Sequence, residues 1–88
     1  LGRHGAVAVA GEEAWWALPP AIATVSPVGS GDTLLAGVAA ATLRGASLPD
    51  ALRLGVACGA ANALVLGAGV MHSEDVERLH AATQLTRL

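Results

Sequence analysis

The 88-residue chain contains no lysine, tyrosine or phenylalanine, and only one cysteine and two tryptophans. Without lysine it cannot form a Gly-x-x-x-x-Gly-Lys-Ser/Thr phosphate loop, whose lysine reaches the β- and γ-phosphates. One cysteine, Cys58, leaves no internal disulfide and no sign of an oxidising compartment, so the cytoplasm is the default expectation. Charge is also scarce: 14% of residues are charged, the formal net charge is −2, and the five basic residues Arg3, Arg44, Arg53, Arg78 and Arg87 are scattered. A nucleic-acid partner would need them clustered. The longest apolar window, Leu54 to Val70, includes Asn62 and several glycines and lacks flanking basic or aromatic anchors, which predicts a buried helix and no membrane partner. No basic start followed by an apolar core and a small-residue cleavage site is present in these residues. The chain opens on Leu1 and runs at once into GAVAVAG, which reads as the middle of a folded unit and predicts a longer parent.

Small residues and turn signals dominate what is there. Ala6 to Ala10 is an apolar run closed by Gly11, and apolar character resumes from Ala14 to Leu18 after Glu12-Glu13, which predicts a hairpin. Pro19-Pro20 ends the second strand. The run TLLAGVAAATL predicts a helix over 33–43, left through Arg44-Gly45. Ser47-Leu48-Pro49-Asp50 has the form of a capping box and predicts a second helix from about Leu48 to about Leu66. Ser73, as a cap, with Glu74 and Asp75 in the first turn, opens a third helix through about Ala82, with Val76, Leu79 and Thr83 on its apolar face.

The chemically informative stretch is Ser26-Pro27-Val28-Gly29-Ser30-Gly31-Asp32, which leads into the first helix. Two glycines let the backbone turn sharply and present bare N–H groups, and the helix dipole adds partial positive charge there. Such a turn can hold a phosphate. Phosphoryl transfer asks the protein mainly for positioning, charge stabilisation and an acceptor for the nucleophile's proton, and an acid at the helix start can be that acceptor. On these residues alone, the alternative is that Asp32 merely caps the helix. A dinucleotide fingerprint fails, because position 34 is Leu34 and Asp50 opens a helix instead of ending a strand.

VSPVGSGDTLLAGVAAATLRG resembles the second signature of the PfkB/ribokinase-like carbohydrate kinases, a Gly-Ala/Ser-Gly-Asp turn followed within a few residues by Ala-Gly. LGRHGAVAVAG resembles the family's Leu-Gly-x-x-Gly-Ala segment, EEAWWALPP its hairpin before the catalytic loop, and GAANALVLGAGV its helix and turn beside the nucleotide. These matches run in order to about residue 80. Within the family, Ser-Pro-Val-Gly-Ser-Gly-Asp and Ala-Asn-Ala-Leu are most similar to the 1-phosphofructokinase and tagatose-6-phosphate kinase branch. The resemblance implies the C-terminal portion of a ribokinase-like three-layer α/β/α fold: a β-hairpin, an anion-hole turn and three helices, with residues 1–88 forming part of one kinase domain. It implies Asp32 as the proton acceptor, and the amides of Gly29, Ser30 and Gly31 as the anion hole for the transferred phosphoryl. Gly2, Gly5 and Asn62 would lie near the nucleotide. The substrates implied are ATP, with Mg²⁺ bridging its phosphates, and a hexose phosphate of the fructose 1-phosphate or tagatose 6-phosphate type. The family's upstream sugar-binding residues, its lid strands and its magnesium-linked Asn-x-x-Glu motif are absent, so the chain alone is expected to be inactive.

Other candidates have plainer readings. His4, His72 and His80 have no spacing that converges on a metal, and Cys58 on an apolar helix is a small core residue. Trp15 and Trp16 should point to opposite faces of a strand, one toward the core and one toward an element outside the chain. Glu12 and Glu13 are a solvated hairpin tip, or else a contact to the second subunit of a homodimer. Two rival functions stand beside the kinase: a non-catalytic nucleotide-binding module, and an inactive truncated remnant.

Overall fold

The computed structural model describes residues 4–21, 29–64 and 71–88; nothing is described of the side chain of Ser30. Its elements run β1 (Ala6–Ala10), β2 (Glu13–Leu18), α1 (Ser30–Leu43), α2 (Leu48–Ala63), α3 (Ser73–Ala82) and β3 (Gln84–Arg87). The hairpin closes at Gly11 and Glu12, with Ala10 opposite Glu13 and Ala6 opposite Ala17. Gly11 has φ 58° and no described non-glycine residue has positive φ, the pattern of a two-residue turn with glycine first.

The third strand is a correction to the sequence reading, which ended at α3. β3 pairs antiparallel with β2, setting Leu85 opposite Ala17 and Trp15 opposite Arg87, and the Leu88 N–H extends the pairing to the Ala14 carbonyl. Its sequence, QLTR, has one apolar residue and no turn signal before it, so no alternation announces it. Tertiary pairing makes it a strand.

Two helix starts also differ from expectation. α1 begins at Ser30, three residues before Thr33, because Gly29 adopts the left-handed conformation (φ 81°) as N-cap and the glycines that promised a loop are taken into the first turn. Its end follows the sequence closely: Gly45 has φ 85°, Ala46 N–H bonds the Ala41 carbonyl and Gly45 N–H bonds that of Thr42, a Schellman closure. α2 is capped by Ser47, whose hydroxyl accepts the Asp50 N–H at 3.4 Å, with proline in the first turn. The described part of α2 ends at Ala63, with Leu64 as C-cap; its predicted continuation to Leu66 lies partly outside the described residues. α3 is capped from His72, not Ser73, which sits inside the first turn.

α2 is the central element. On one side Leu52 and Val56 pack with Ala17, Ala6, Ala8, Trp15, Leu34 and Leu85. On another, Ala57, Ala60 and Ala61 pack with Leu79, Val76 and Leu64. Arg53 ties α2 to the end of α3, donating from Nε to the His80 carbonyl (2.8 Å) and from its terminal nitrogen to that of Ala81 (3.2 Å). Thr83 completes the join by donating its hydroxyl to the Leu79 carbonyl at 2.6 Å.

α1 meets α2 through glycines. A Cβ on Gly37 would lie 2.9 Å from the Gly55 Cα, and one on Gly55 would lie 2.7 Å from the Leu34 carbonyl oxygen, so the two backbones are nearly in contact. The short connection, residues 44–47, leads from α1 into α2, and the two helices meet closely at Gly37 and Gly55. Among the described residues, one face of the sheet carries helices. The opposite face presents Val7 and Val9, which are 59% and 69% exposed, and Trp16. Trp15 and Trp16 do divide between the faces: Trp15 joins the α2 cluster, while Trp16 donates its indole N–H to the His4 carbonyl at 2.7 Å.

Candidate functional site

The site is built on the first turn of α1. Gly29 supplies the left-handed cap that an L-residue with a side chain adopts only at a cost, and its carbonyl accepts both the N–H (2.9 Å) and the hydroxyl (2.7 Å) of Thr33. This double bond pins the turn, and Thr33 is buried beneath it. The amides of the cap and first three helical residues, Gly29 to Asp32, have no partner within the helix by geometry, and the N-cap residue, a glycine, has no side chain to cap them. Their dipoles add to that of the helix, and the end they form attracts anions.

Gly31 is the most telling position. It lies in the helix, its φ is not positive, and a Cβ built on it would meet no atom within 4 Å. Among the described residues neither backbone conformation nor packing requires a glycine there, although glycine in a helix costs about 0.5–1 kcal/mol relative to alanine. The contrast is with Gly5, where φ is 73° and a Cβ would overlap the Ala17 carbonyl oxygen, and with Gly37 and Gly55 at the helix crossing. The empty space over Gly31 suits a ligand's close approach to the amides.

Asp32 is exposed at the third helical position, in the same turn. The helix puts it on the side of α1 opposite Leu34, Gly37 and Val38, which face α2. A carboxylate here lies in the same helical turn as the Gly29 to Gly31 amides. Asn62 is buried at 0% exposure near the end of α2. Gly5 is half-buried at the entrance to β1, where its contact with β2 already accounts for a glycine. Gly2 and the loop preceding Gly29 lie outside the described residues.

Of the remaining candidates, Cys58 is buried at the α1–α2 contact, and burial pushes its thiol pKa up, the opposite of what a nucleophile requires. Among the described residues no three His, Cys, Asp or Glu side chains come together as a metal site. The described helices are too short or too polar to cross a membrane. The sequence reading missed the openness over Gly31.

Comparison with known proteins identifies the family. Residues 1–75 match the model of the pfkB family carbohydrate kinases. The chain is 32% identical over 81 residues to ATP-dependent 6-phosphofructokinase isozyme 2 of Escherichia coli, covering 92% of this chain and 26% of that protein. It is 44% identical over 57 residues to 1-phosphofructokinase of Rhodobacter capsulatus, covering 65% and 18%. The structure of phosphofructokinase-2 from Escherichia coli in complex with substrates and products superposes with a TM-score of 0.84 at 31% identity, over 91% of this chain and 26% of that one. The chain thus spans about a quarter of the length of such relatives, as one stretch of a ribokinase-like α/β fold. By its glycine turn, its fold and these matches, the chain belongs to the pfkB family of carbohydrate kinases.

Proposed function

We propose that residues 1–88 form the C-terminal part of a single kinase domain that transfers the γ-phosphoryl of ATP to a hydroxyl of a hexose phosphate. The observation that carries this reading is the first turn of α1: a cluster of amides without partners within the helix, with open space above Gly31 and an exposed carboxylate, Asp32, in the same turn. Relatives named 6-phosphofructokinase and 1-phosphofructokinase support a phosphorylated hexose as acceptor.

In this mechanism the acceptor hydroxyl oxygen attacks the γ-phosphorus in line with the bond to ADP. That P–O bond breaks as the new one forms, and the hydroxyl proton passes to the Asp32 carboxylate. The amides of Gly29, Ser30 and Gly31 face the oxygens on which negative charge is concentrated, in a fixed arrangement that needs no reorganisation during the step. Gly2, Gly5 and Asn62 would line the nucleotide side. Mg²⁺ would arrive with the nucleotide and neutralise its phosphates. Among the described residues Asp32 is the acid in the turn, and no group of three His, Cys, Asp or Glu side chains gathers around it. The acceptor's recognition groups belong to the rest of the domain, and the 88 residues alone would not turn over. A cytoplasmic location and a homodimer complete the reading.

The test is ADP formation by the complete kinase carrying this segment, across a panel of sugar phosphates, in wild type and Asp32→Asn. A general base is worth roughly 10²–10⁴ in rate. A fall of that size on one sugar phosphate supports the reading and identifies the acceptor. Unchanged turnover would leave the turn as a phosphate-holding element without catalytic acid–base chemistry.

A further inference from the structure

The Gly29 carbonyl is held twice, by the Thr33 N–H at 2.9 Å and by the Thr33 hydroxyl at 2.7 Å. The first bond is the ordinary closure of a helical turn. The second is an addition, of a kind that threonines often make to the carbonyl four residues back. Thr42 bonds Val38 in this way, and Thr83 bonds Leu79. In those two cases the N–H at the far end of the accepting peptide lies inside a helix, where it bonds the carbonyl four residues before it. At Thr33 the far end is the Ser30 N–H, in the first turn, which has no partner within the helix. The two ends of a peptide move together, because it is planar and trans and its C=O and N–H point in opposite directions. Gly29, at φ 81°, holds that peptide poorly by its own backbone preference, since glycine takes many conformations at little cost.

We propose that Thr33 is a positioning residue for phosphoryl transfer: by clamping the Gly29 carbonyl along the helix, its hydroxyl aims the Ser30 N–H at the oxygens of the transferred phosphoryl. This rests on the phosphoryl-transfer reading above and deepens it. Thr33 is buried at 5% exposure and its hydroxyl is engaged by the Gly29 carbonyl, so it acts through that peptide and not by touching a reactant. Its effect falls on the chemical step, where a donor fixed in advance toward developing negative charge counts most. Binding of the acceptor does not depend on it.

The test uses the complete kinase carrying this segment with Thr33→Val, Thr33→Ser and Thr33→Ala, a set that removes the hydroxyl and the methyl group separately. Valine keeps the volume without the hydroxyl, serine keeps the hydroxyl without the methyl, and alanine has neither. Measured for each are kcat, the acceptor KM and the thermal midpoint. A misplacement of about 1 Å at a reacting centre can cost on the order of 10²-fold in rate. Thr33→Val should therefore lower kcat by about 10–100-fold with the acceptor KM unchanged. Thr33→Ser should keep most of the wild-type kcat even where its thermal midpoint falls, and Thr33→Ala should be as slow as Thr33→Val. An unchanged kcat in Thr33→Val, or a fall in kcat that Thr33→Ser shares equally, would overturn the inference and leave Thr33 a packing residue of the first turn. If Thr33→Val does not fold, Thr33→Ser against Thr33→Ala makes the same hydroxyl deletion, and equal kcat in those two would overturn it. Failure of the kinase reading is distinct, because it would appear as undiminished turnover in Asp32→Asn.

Discussion

A glycine at position 31 weakens α1, and nothing among the described residues around it requires the absence of a side chain. Gly31→Ala separates the two roles of that residue. The protein's own contacts accept the methyl group and helix propensity gains about 0.5–1 kcal/mol. The variant should thus unfold at the same or slightly higher denaturant concentration while losing most of its phosphoryl transfer. A variant that kept its turnover would show that nothing needs the space over the turn. The Gly-Ser-Gly-Asp turn that opens α1 was legible in the sequence, because glycines before a helical run have few structural readings. The open space over Gly31 was not, since a sequence shows which residues share a helical face but not which face the fold leaves uncovered. Cys58 belongs at this scale too. Its thiol is held above its ordinary pKa by burial, so the folded state binds that proton more tightly than the unfolded chain. The associated stability is fully present below the ordinary thiol pKa of about 8.5 and is lost as pH rises through the higher folded value. The denaturation midpoint should fall above that pH in the wild type and fall less in Cys58→Ala.

Among the elements, the α1–α2 contact decides whether the turn is held in place. It depends on backbone approach at Gly55, where an added methyl would meet the Leu34 carbonyl and the Val38 side chain. Gly55→Ala should destabilise the protein by about 1–3 kcal/mol, as overpacking of a tight contact does. Chemical denaturation of the complete protein measures this, and an unchanged midpoint would mean that the helices part without cost. The helices were legible because their stop signals have direct physical causes: Arg44-Gly45 for the Schellman end, and Ser47 with Asp50 for the next start. β3 was not legible. A four-residue strand with one apolar side chain becomes a strand only because β2 offers an edge and Leu85 finds Ala17 and α2. The early start of α1 escaped for a related reason, since glycine propensity argues for a loop while the Gly29 carbonyl and Thr33 close a helical turn.

For the whole molecule, the described residues supply one helical layer and a three-stranded sheet of a fold whose relatives are about four times as long. Val7, Val9 and Trp16 on one sheet face, and Leu35 and Leu43 on α1, are apolar groups that this chain leaves exposed. Family membership was legible from the ordered motifs, because each reflects a local requirement: a hairpin, a turn, a helix crossing. The acceptor was not legible, because no sugar-recognition group is identified in these 88 residues. The central claim is that the start of α1 performs phosphoryl transfer and does not merely bind phosphate. Its most direct test is single-turnover phosphoryl transfer at saturating ATP and acceptor in the complete kinase carrying Asp32→Asn, with the dissociation constant for ATP measured on the same preparation. The account predicts a rate lower by about 10²–10⁴ with ATP affinity retained. A wild-type rate, or a loss fully explained by weaker ATP binding, would contradict it.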